Sequence, residues 1–286
     1  MRESLTTAAG RTLSYERAGS GPLLVCHPGG PGGSGRYFGD LGGLARSATL
    51  IRLDPGGTGG SDRPVDGSYR LENYAADLEE LRAHLRVERL NLLGHSHGGF
   101  VAMVYAATFP ERTGRLVLLA TLARFSAEQR AEKARLLVEK AADPAFADAV
   151  DARRARDAGE YRDRTELMAL LAREFGLYFT RFGDAEREFV QGMVFADPFN
   201  LDALDAFNTT VAPTFDLRPL LGGIVAPTLV LTGDGDYMAG VGSAEEIAAG
   251  IAGSRLEIIP RAGHFPWVEE PERVRLAVAD FLPGAA

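Results

Sequence analysis

Ser96 stands in Gly94-His-Ser-His-Gly-Gly99. Glycines two residues either side let a serine occupy a turn too tight for side chains. Such a turn lifts the hydroxyl clear and leaves backbone N–H groups free to bind an oxyanion. A serine hydroxyl is a poor nucleophile until a base takes its proton, and the base needs an orienting acid. His264, in Ala262-Gly-His-Phe265, is the candidate base. Asp236, in Gly233-Asp-Gly-Asp236, is the candidate acid, with Asp234 of the same turn as its rival, since loop aspartates commonly form turns. One oxyanion donor is expected from the amide of His97, next after the nucleophile. The other must come from His27-Pro-Gly-Gly-Pro-Gly-Gly33, where Pro28 and Pro31 have no N–H, so Gly29 or Gly30 must donate.

The elements around these residues fit that chemistry. Arg89–Leu93 reads as a buried strand before the elbow and Phe100–Ala107 as a buried helix after it, the context that gives G-x-S-x-G its meaning. Arg11–Arg17, Pro22–His27, Thr49–Leu53 and Arg115–Ala120 read as further strands. Leu71, Tyr74, Ala75, Leu78, Leu81 and Leu85 fall on one face of a helix. Strands alternating with helices predict an α/β fold with a mostly parallel central sheet covered on both faces. The rhythm changes after Ala123. From Ser126 to about Asp216 the patterns are helical, opened by a capping box at Ser126-Ala-Glu-Gln129. Alternation resumes with strand Thr228–Thr232, helix Ser243–Ile251, strand Arg255–Ile259 and helix Pro271–Leu282. A core of residues 1–123 and 217–286 is therefore expected to carry a helical cap over 124–216. Placed between two strands, the cap should cover the carboxyl edge, where open α/β sheets bind ligands. His264 and Asp236 each follow a late strand and should hang over that same edge.

With a formal charge of −8, nucleic acid and anionic membranes are not expected partners. Cys26 is the sole cysteine, which excludes an internal disulfide and a cysteine-rich metal site. No His/Cys/Asp ligand spacing recurs, so no metal is expected. Gly29–Gly35 lacks the lysine-serine ending of a phosphate loop. No run approaches the ~18 apolar residues of a membrane span, and no secretion signal opens the chain, so a cytoplasmic enzyme is expected.

The turn at 27–33 resembles the His-Gly-Gly-Pro-Gly motif of the proline iminopeptidase branch of α/β hydrolases, and Asp54-Pro-Gly-Gly-Thr-Gly-Gly-Ser61 resembles that branch's Asp-Gln-Arg-Gly-x-Gly-x-Ser loop. The order Ser, Asp, His is that of the α/β-hydrolase architecture. The resemblance covers nearly all of the core and little of the cap. It implies an α/β-hydrolase fold, favours Gly30 as the second oxyanion donor, and favours Asp236 as the acid. Three positions depart from the pattern: Pro28, Gly56 in place of an arginine, and His97 where iminopeptidases more often show tryptophan. These departures count against an N-terminal proline as substrate.

The remaining candidates concern the substrate. His27 ends a strand beside the oxyanion turn and, with Gly29, is a candidate to touch it. Phe175, Tyr178, Phe179 and Phe182 repeat at helical spacing, first a packing stripe and second a pocket wall, and Trp267 is a core or rim residue beyond His264. Cap carboxylates Glu166, Glu174, Glu186 and Glu188 are candidates for a substrate amine, set against arginines that favour solvated ion pairs. His84 reads as a surface or packing residue, and His95 as locked in the elbow. The expected function is a serine hydrolase cleaving a small ester, amide or short peptide through an acyl-enzyme, without cofactor. The alternative is a ligand-binding protein that keeps a hydrolase site, as hormone receptors on this fold do.

Overall fold

A computed structural model describes residues 1–282, so the last four residues of the expected core lie outside the described residues. The sheet has eight strands: β1 (Arg2–Thr6), β2 (Thr12–Gly19), β3 (Leu23–His27), β4 (Thr49–Leu53), β5 (Leu90–His95), β6 (Thr113–Leu119), β7 (Thr228–Gly233) and β8 (Arg255–Ile259). Their spatial order is β1-β2-β4-β3-β5-β6-β7-β8. The β1–β2 and β2–β4 pairs are antiparallel and all others parallel. The sequence reading had no counterpart for β1. Only Leu5 of that edge strand is buried, so it lacks the apolar alternation by which strands are recognised.

Successive side chains of the central strands enter opposite faces, as the two-residue period requires. Val25, Leu92, Leu118 and Val230 join the core under α1 (Leu71–His84) and α2 (His97–Thr108), while Cys26, Leu93, Leu119 and Leu231 join the core on the other face. α2 buries ten of its twelve residues, because it sits between the sheet and α1. α1 buries the stripe expected of it, from Leu71 to Leu81.

Between Arg124 and Asp216, after β6, run among the described residues α3 (Ala127–Ala141), α4 (Ala147–Asp157), α5 (Arg164–Glu174), α6 (Asp184–Ala196) and α7 (Leu201–Ala206). The ends of this helical insert meet at an isolated antiparallel bridge, Arg124 to Asp216, and Leu217 N–H donates to Ala123 C=O at 2.7 Å. The capping box at Ser126 is only half made. Ser126 Oγ accepts from Gln129 N–H, but the Gln129 side chain donates to the Met238 carbonyl at 2.5 Å, tying α3 to the loop after β7. The aromatic stripe is not one helix either: Phe175–Tyr178 is a 3-10 turn, and Phe179 turns extended at φ −111°, ψ 156°. After β7 come α9 (Val241–Gly250), α10 (Pro266–Glu269) and α11 (Pro271–Phe281); a single turn, α8 (Arg218–Leu221), precedes that strand.

The order of strands reverses at β3. Its chain successor β4 lies on one side and β5 on the other, with His27 in register with Gly94. The carboxyl ends of β3 and β5 are thus adjacent at a switch point, where open sheets leave a crevice.

Candidate active site

Ser96 caps α2 with φ 54° and ψ −121°, a conformation that side-chain-bearing residues rarely adopt. The elbow is over-determined from several sides. Ser96 N–H donates to Leu119 C=O at 3.0 Å, while the Ser96 carbonyl accepts from Thr121 Oγ1 and Gly99 N–H, each at 2.8 Å. Gly98 is required by a close approach: a Cβ there would lie 2.1 Å from the His27 carbonyl oxygen. The oxyanion turn and the elbow are therefore in direct backbone contact.

His264 follows β8 and Asp236 follows β7. The two meet with Nδ1 of His264 at 3.0 Å and 3.2 Å from the carboxylate oxygens. Asp236 is 1% exposed. Burial pushes its carboxyl up, but the His264 imidazole and the Met238 and Ala239 amides outweigh that and hold it below the ordinary value. It is therefore an anion placed to orient the imidazole. Asp234 is exposed and accepts from Arg261 N–H at 2.8 Å, so it braces the neighbouring loop and not the histidine. Ser96 and His264 line one cavity, as do Gly29, Gly30 and Tyr37. Ser96 Oγ makes no hydrogen bond among the described residues, and such contacts often tighten only once a ligand is bound.

The N–H groups of the turn divide clearly. Gly29 N–H donates to Tyr37 Oη at 2.6 Å and is occupied. Gly30 N–H and His97 N–H have no acceptor among the described residues, so both are free to donate to a ligand.

Several expected contacts are placed elsewhere. The His97 ring turns away from the cavity, edge-on to Tyr74, Phe100 and Phe207. His27 is 1% exposed, its Nδ1 3.0 Å from the Pro28 carbonyl; its side chain is sealed under the turn and does not line the cavity. Burial pushes the imidazole of His27 down to about 4 and that of His97 down to about 3, so both are neutral. Phe175 and Tyr178 line the cavity; Phe179 and Trp267 do not, because both are drawn into the aromatic packing around Phe265.

The four cap carboxylates are likewise outside the lining. Glu166 pairs with Arg162, Glu174 with Arg153 and Arg156, and Glu186 with Arg181 and the Gly183 amide, while Glu188 is exposed. The carboxylate that does reach the cavity is Asp197, met by Ser34 Oγ at 2.8 Å and Arg36 at 3.7 Å. Among the described residues, none that lines the cavity is Lys or Arg. Met168, Leu171, Met193, Phe199 and Leu204 make most of the rest apolar, and the cavity measures about 160 Å³.

Sequence reasoning missed Tyr37 and Glu269. Glu269 Oε1 accepts from Thr180 N–H and Oγ–H and from Arg181 N–H, and Oε2 accepts from Gly263 N–H at 2.6 Å. It thereby clamps the insert to the loop that carries His264. The His264 N–H also reaches the insert, donating to Tyr178 C=O at 2.7 Å. An aromatic pair, Tyr37-Phe38, in a glycine-rich stretch was the available signal for Tyr37; nothing local marks Glu269 apart from its neighbour Glu270. No group of three or more potential ligands able to hold a metal occurs among the described residues, and no helix among them is long and apolar enough to cross a membrane.

Comparison with known proteins agrees with the fold. The family model described as alpha/beta hydrolase fold matches residues 22–271. A proline iminopeptidase of Heyndrickxia coagulans is 26% identical over 93% of this chain and 92% of its own length. A 2-hydroxy-6-oxo-6-phenylhexa-2,4-dienoate hydrolase of Comamonas testosteroni is 28% identical over 94% and 91%. The crystal structure of esterase RhEst1 from Rhodococcus sp. ECU1013 superposes with a TM-score of 0.77 at 25% identity, covering 98% of each chain.

Proposed function

The chain belongs to the α/β-hydrolase fold family, and from that premise we propose that it is a serine hydrolase acting on a small, uncharged ester through an acyl-enzyme. The observation that carries this reading is the buried Asp236–His264 pair opening on the same cavity as Ser96. Ser96 Oγ attacks the carbonyl carbon as His264 Nε2 takes its proton, and Asp236 stabilises the imidazolium that forms. The Gly30 and His97 amides hold the oxyanion of the tetrahedral intermediate. The imidazolium returns its proton to the leaving alkoxide. Water, deprotonated by the same imidazole, then attacks the acyl carbon and frees the serine. The helical insert acts as the lid.

An ester is favoured over an N-terminal peptide bond because an α-ammonium group finds no uncommitted carboxylate in the lining. A carboxylate such as that of the dienoate named for the Comamonas relative finds no lining Lys or Arg. The apolar walls suit a neutral acyl chain or ring; an apolar cavity of about 150 Å³ in another protein accepts benzene.

A fluorophosphonate probe with mass mapping, beside turnover of p-nitrophenyl butyrate and prolyl-naphthylamide, tests this. We expect labelling at Ser96 alone, multiple turnovers of the ester and none of the amide. Cleavage of the prolyl amide at a comparable rate would return the reading to the peptidase, and one burst followed by arrest would favour the ligand-binding alternative. Failure of Ser96→Ala to abolish turnover would refute the serine mechanism.

A further inference from the structure

A chain of hydrogen bonds runs from the oxyanion turn to the base through two side chains that the chemical steps do not use. Gly29 N–H donates to Tyr37 Oη at 2.6 Å. Tyr37 Oη lies 2.7 Å from His95 Nδ1, and His95 Nε2 lies 2.9 Å from the His264 carbonyl oxygen. Counting protons fixes every direction. A carbonyl only accepts, so His95 Nε2 carries hydrogen. His95 is 2% exposed, and burial first, then the neighbouring His264, hold its pKa well below the ordinary value. It is neutral, so Nδ1 is bare and must accept. Tyr37 therefore gives its single proton to Nδ1 and offers a lone pair to Gly29.

We propose that Tyr37 and His95 are positioning residues that hold the oxyanion turn, the nucleophile elbow and the base loop in one register. The proposal rests on the serine-hydrolase reading above. The three parts come from three separate stretches of chain, and each is fixed at the residue that matters. Anchoring Gly29 sets the peptide unit that follows, whose N–H is the Gly30 donor. Gly29 also lies close beside the nucleophile: a Cβ there would lie 2.9 Å from Ser96 Cβ. His95 immediately precedes Ser96, so its ring and the elbow backbone move together. At His264 the carbonyl is held by His95 and the N–H by Tyr178, which pins the backbone on both sides of the catalytic imidazole.

The tautomer matters as well as the distances. The His95 and His264 ring centroids are 4.7 Å apart. A cation at His95 would oppose the imidazolium that His264 must become. Tyr37 donating to Nδ1 stabilises the neutral form at the nitrogen where a proton would otherwise bind. Trp267 supports both rings, near-parallel to Tyr37 at 6.1 Å and edge-on to His95 at 4.9 Å. This gives Trp267 a place in the site without contact with the cavity.

Four variants test the chain: Tyr37→Phe, His95→Phe, the double variant, and His95→Gln, which keeps an acceptor oxygen for Tyr37 and an N–H for the His264 carbonyl. On p-nitrophenyl butyrate we expect Tyr37→Phe and His95→Phe to lower kcat by about tenfold or more, with KM within about twofold. Links in series predict that the double variant loses no more than His95→Phe alone, and that His95→Gln recovers most of the loss. Losses that multiply in the double variant, an effect carried by KM, or a glutamine no better than phenylalanine would overturn the proposal. A second measurement does not depend on turnover. Nitrogen-15 NMR of the resting protein should show His95 protonated at Nε2 and not titrating from pH 8 to pH 5. An Nδ1-protonated or titrating His95 refutes the chain whatever the protein hydrolyses. The expected tautomer in a protein that turns over no ester and labels nowhere would sink the hydrolase reading, and with it the catalytic purpose assigned here.

Discussion

Acidification should weaken this fold through two imidazoles sealed beneath the elbow and the oxyanion turn. His27 and His97 are 1% and 3% exposed, with folded pKa values of about 4 and about 3 caused first by burial. Unfolded, each returns to about 6.5. The folded value lies below the unfolded one, so the unfolded chain takes up the proton first. The stability this contributes is present above about pH 6.5 and is lost as pH falls toward the folded values. At pH 5 each unfolded imidazole is about 1.5 units below its pKa, which at about 1.36 kcal/mol per unit costs about 2 kcal/mol per histidine. The figure hardly depends on whether the folded value is 3 or 4. Asp54, Asp77 and Glu269, raised by burial, act with the opposite sign, because there the folded state takes the proton first. A comparison of variants removes their contribution. His97→Phe keeps an aromatic ring among Tyr74, Phe100 and Phe207 and deletes the titrating group. Urea unfolding at pH 7 and pH 5 should show the variant losing about 2 kcal/mol less than its parent. Equal losses would mean that His97 is not held neutral in the folded state, and the argument from burial would fail.

Asp236→Asn should leave the fold intact yet lower kcat by about 10³–10⁴, because the amide no longer fixes the productive imidazole tautomer, while Asp234→Asn should stay within about twofold. The reverse ranking in ester turnover would reassign the acid. Glu269→Gln places an NH₂ group where the carboxylate meets only donors, so urea unfolding should show a loss of about 1–3 kcal/mol; parent-like stability would contradict the clamp. Lengthening the acyl chain of p-nitrophenyl esters from two to four carbons buries two more methylenes at about 0.8 kcal/mol each and should raise kcat/KM by about fifteenfold. A flat series would show that the acyl group does not use the apolar walls.

The sequence carried the parts of this molecule whose causes are local. The elbow was legible because glycine spacing, a buried strand and a buried helix coincide within about twenty residues of Ser96, and the open apolar runs of β5, β6 and β7 record burial on both faces. What distant segments decide was not legible. Whether Gly29 or Gly30 is left free depends on Tyr37, eight residues on, folding back to occupy one N–H. Asp234 and Asp236 differ only in which loop faces them. Periodicity placed Phe179 on a helical stripe, but Glu269 takes the N–H groups of Thr180 and Arg181, and the chain leaves the helix there. Glutamates of the insert could be read either as amine ligands or as ion-pair partners, and it is the packing of α4 on α5, bringing Arg153 and Arg156 onto Glu174, that decides for that residue.

The bridge between Arg124 and Asp216 bears on how such a scaffold diversifies. About ninety residues enter and leave the sheet through a doorway one strand spacing wide, so a foreign segment whose ends lie that close can be spliced in without disturbing any ladder. The hinge of exchange is not its only obligation. A transplanted segment must also bring an acceptor for the His264 N–H and donors for Glu269, two debts owed to the resident loop at 178–181. A graft that meets the doorway alone should fold and remain idle; one that meets all three should inherit the chemistry with a new choice of substrate.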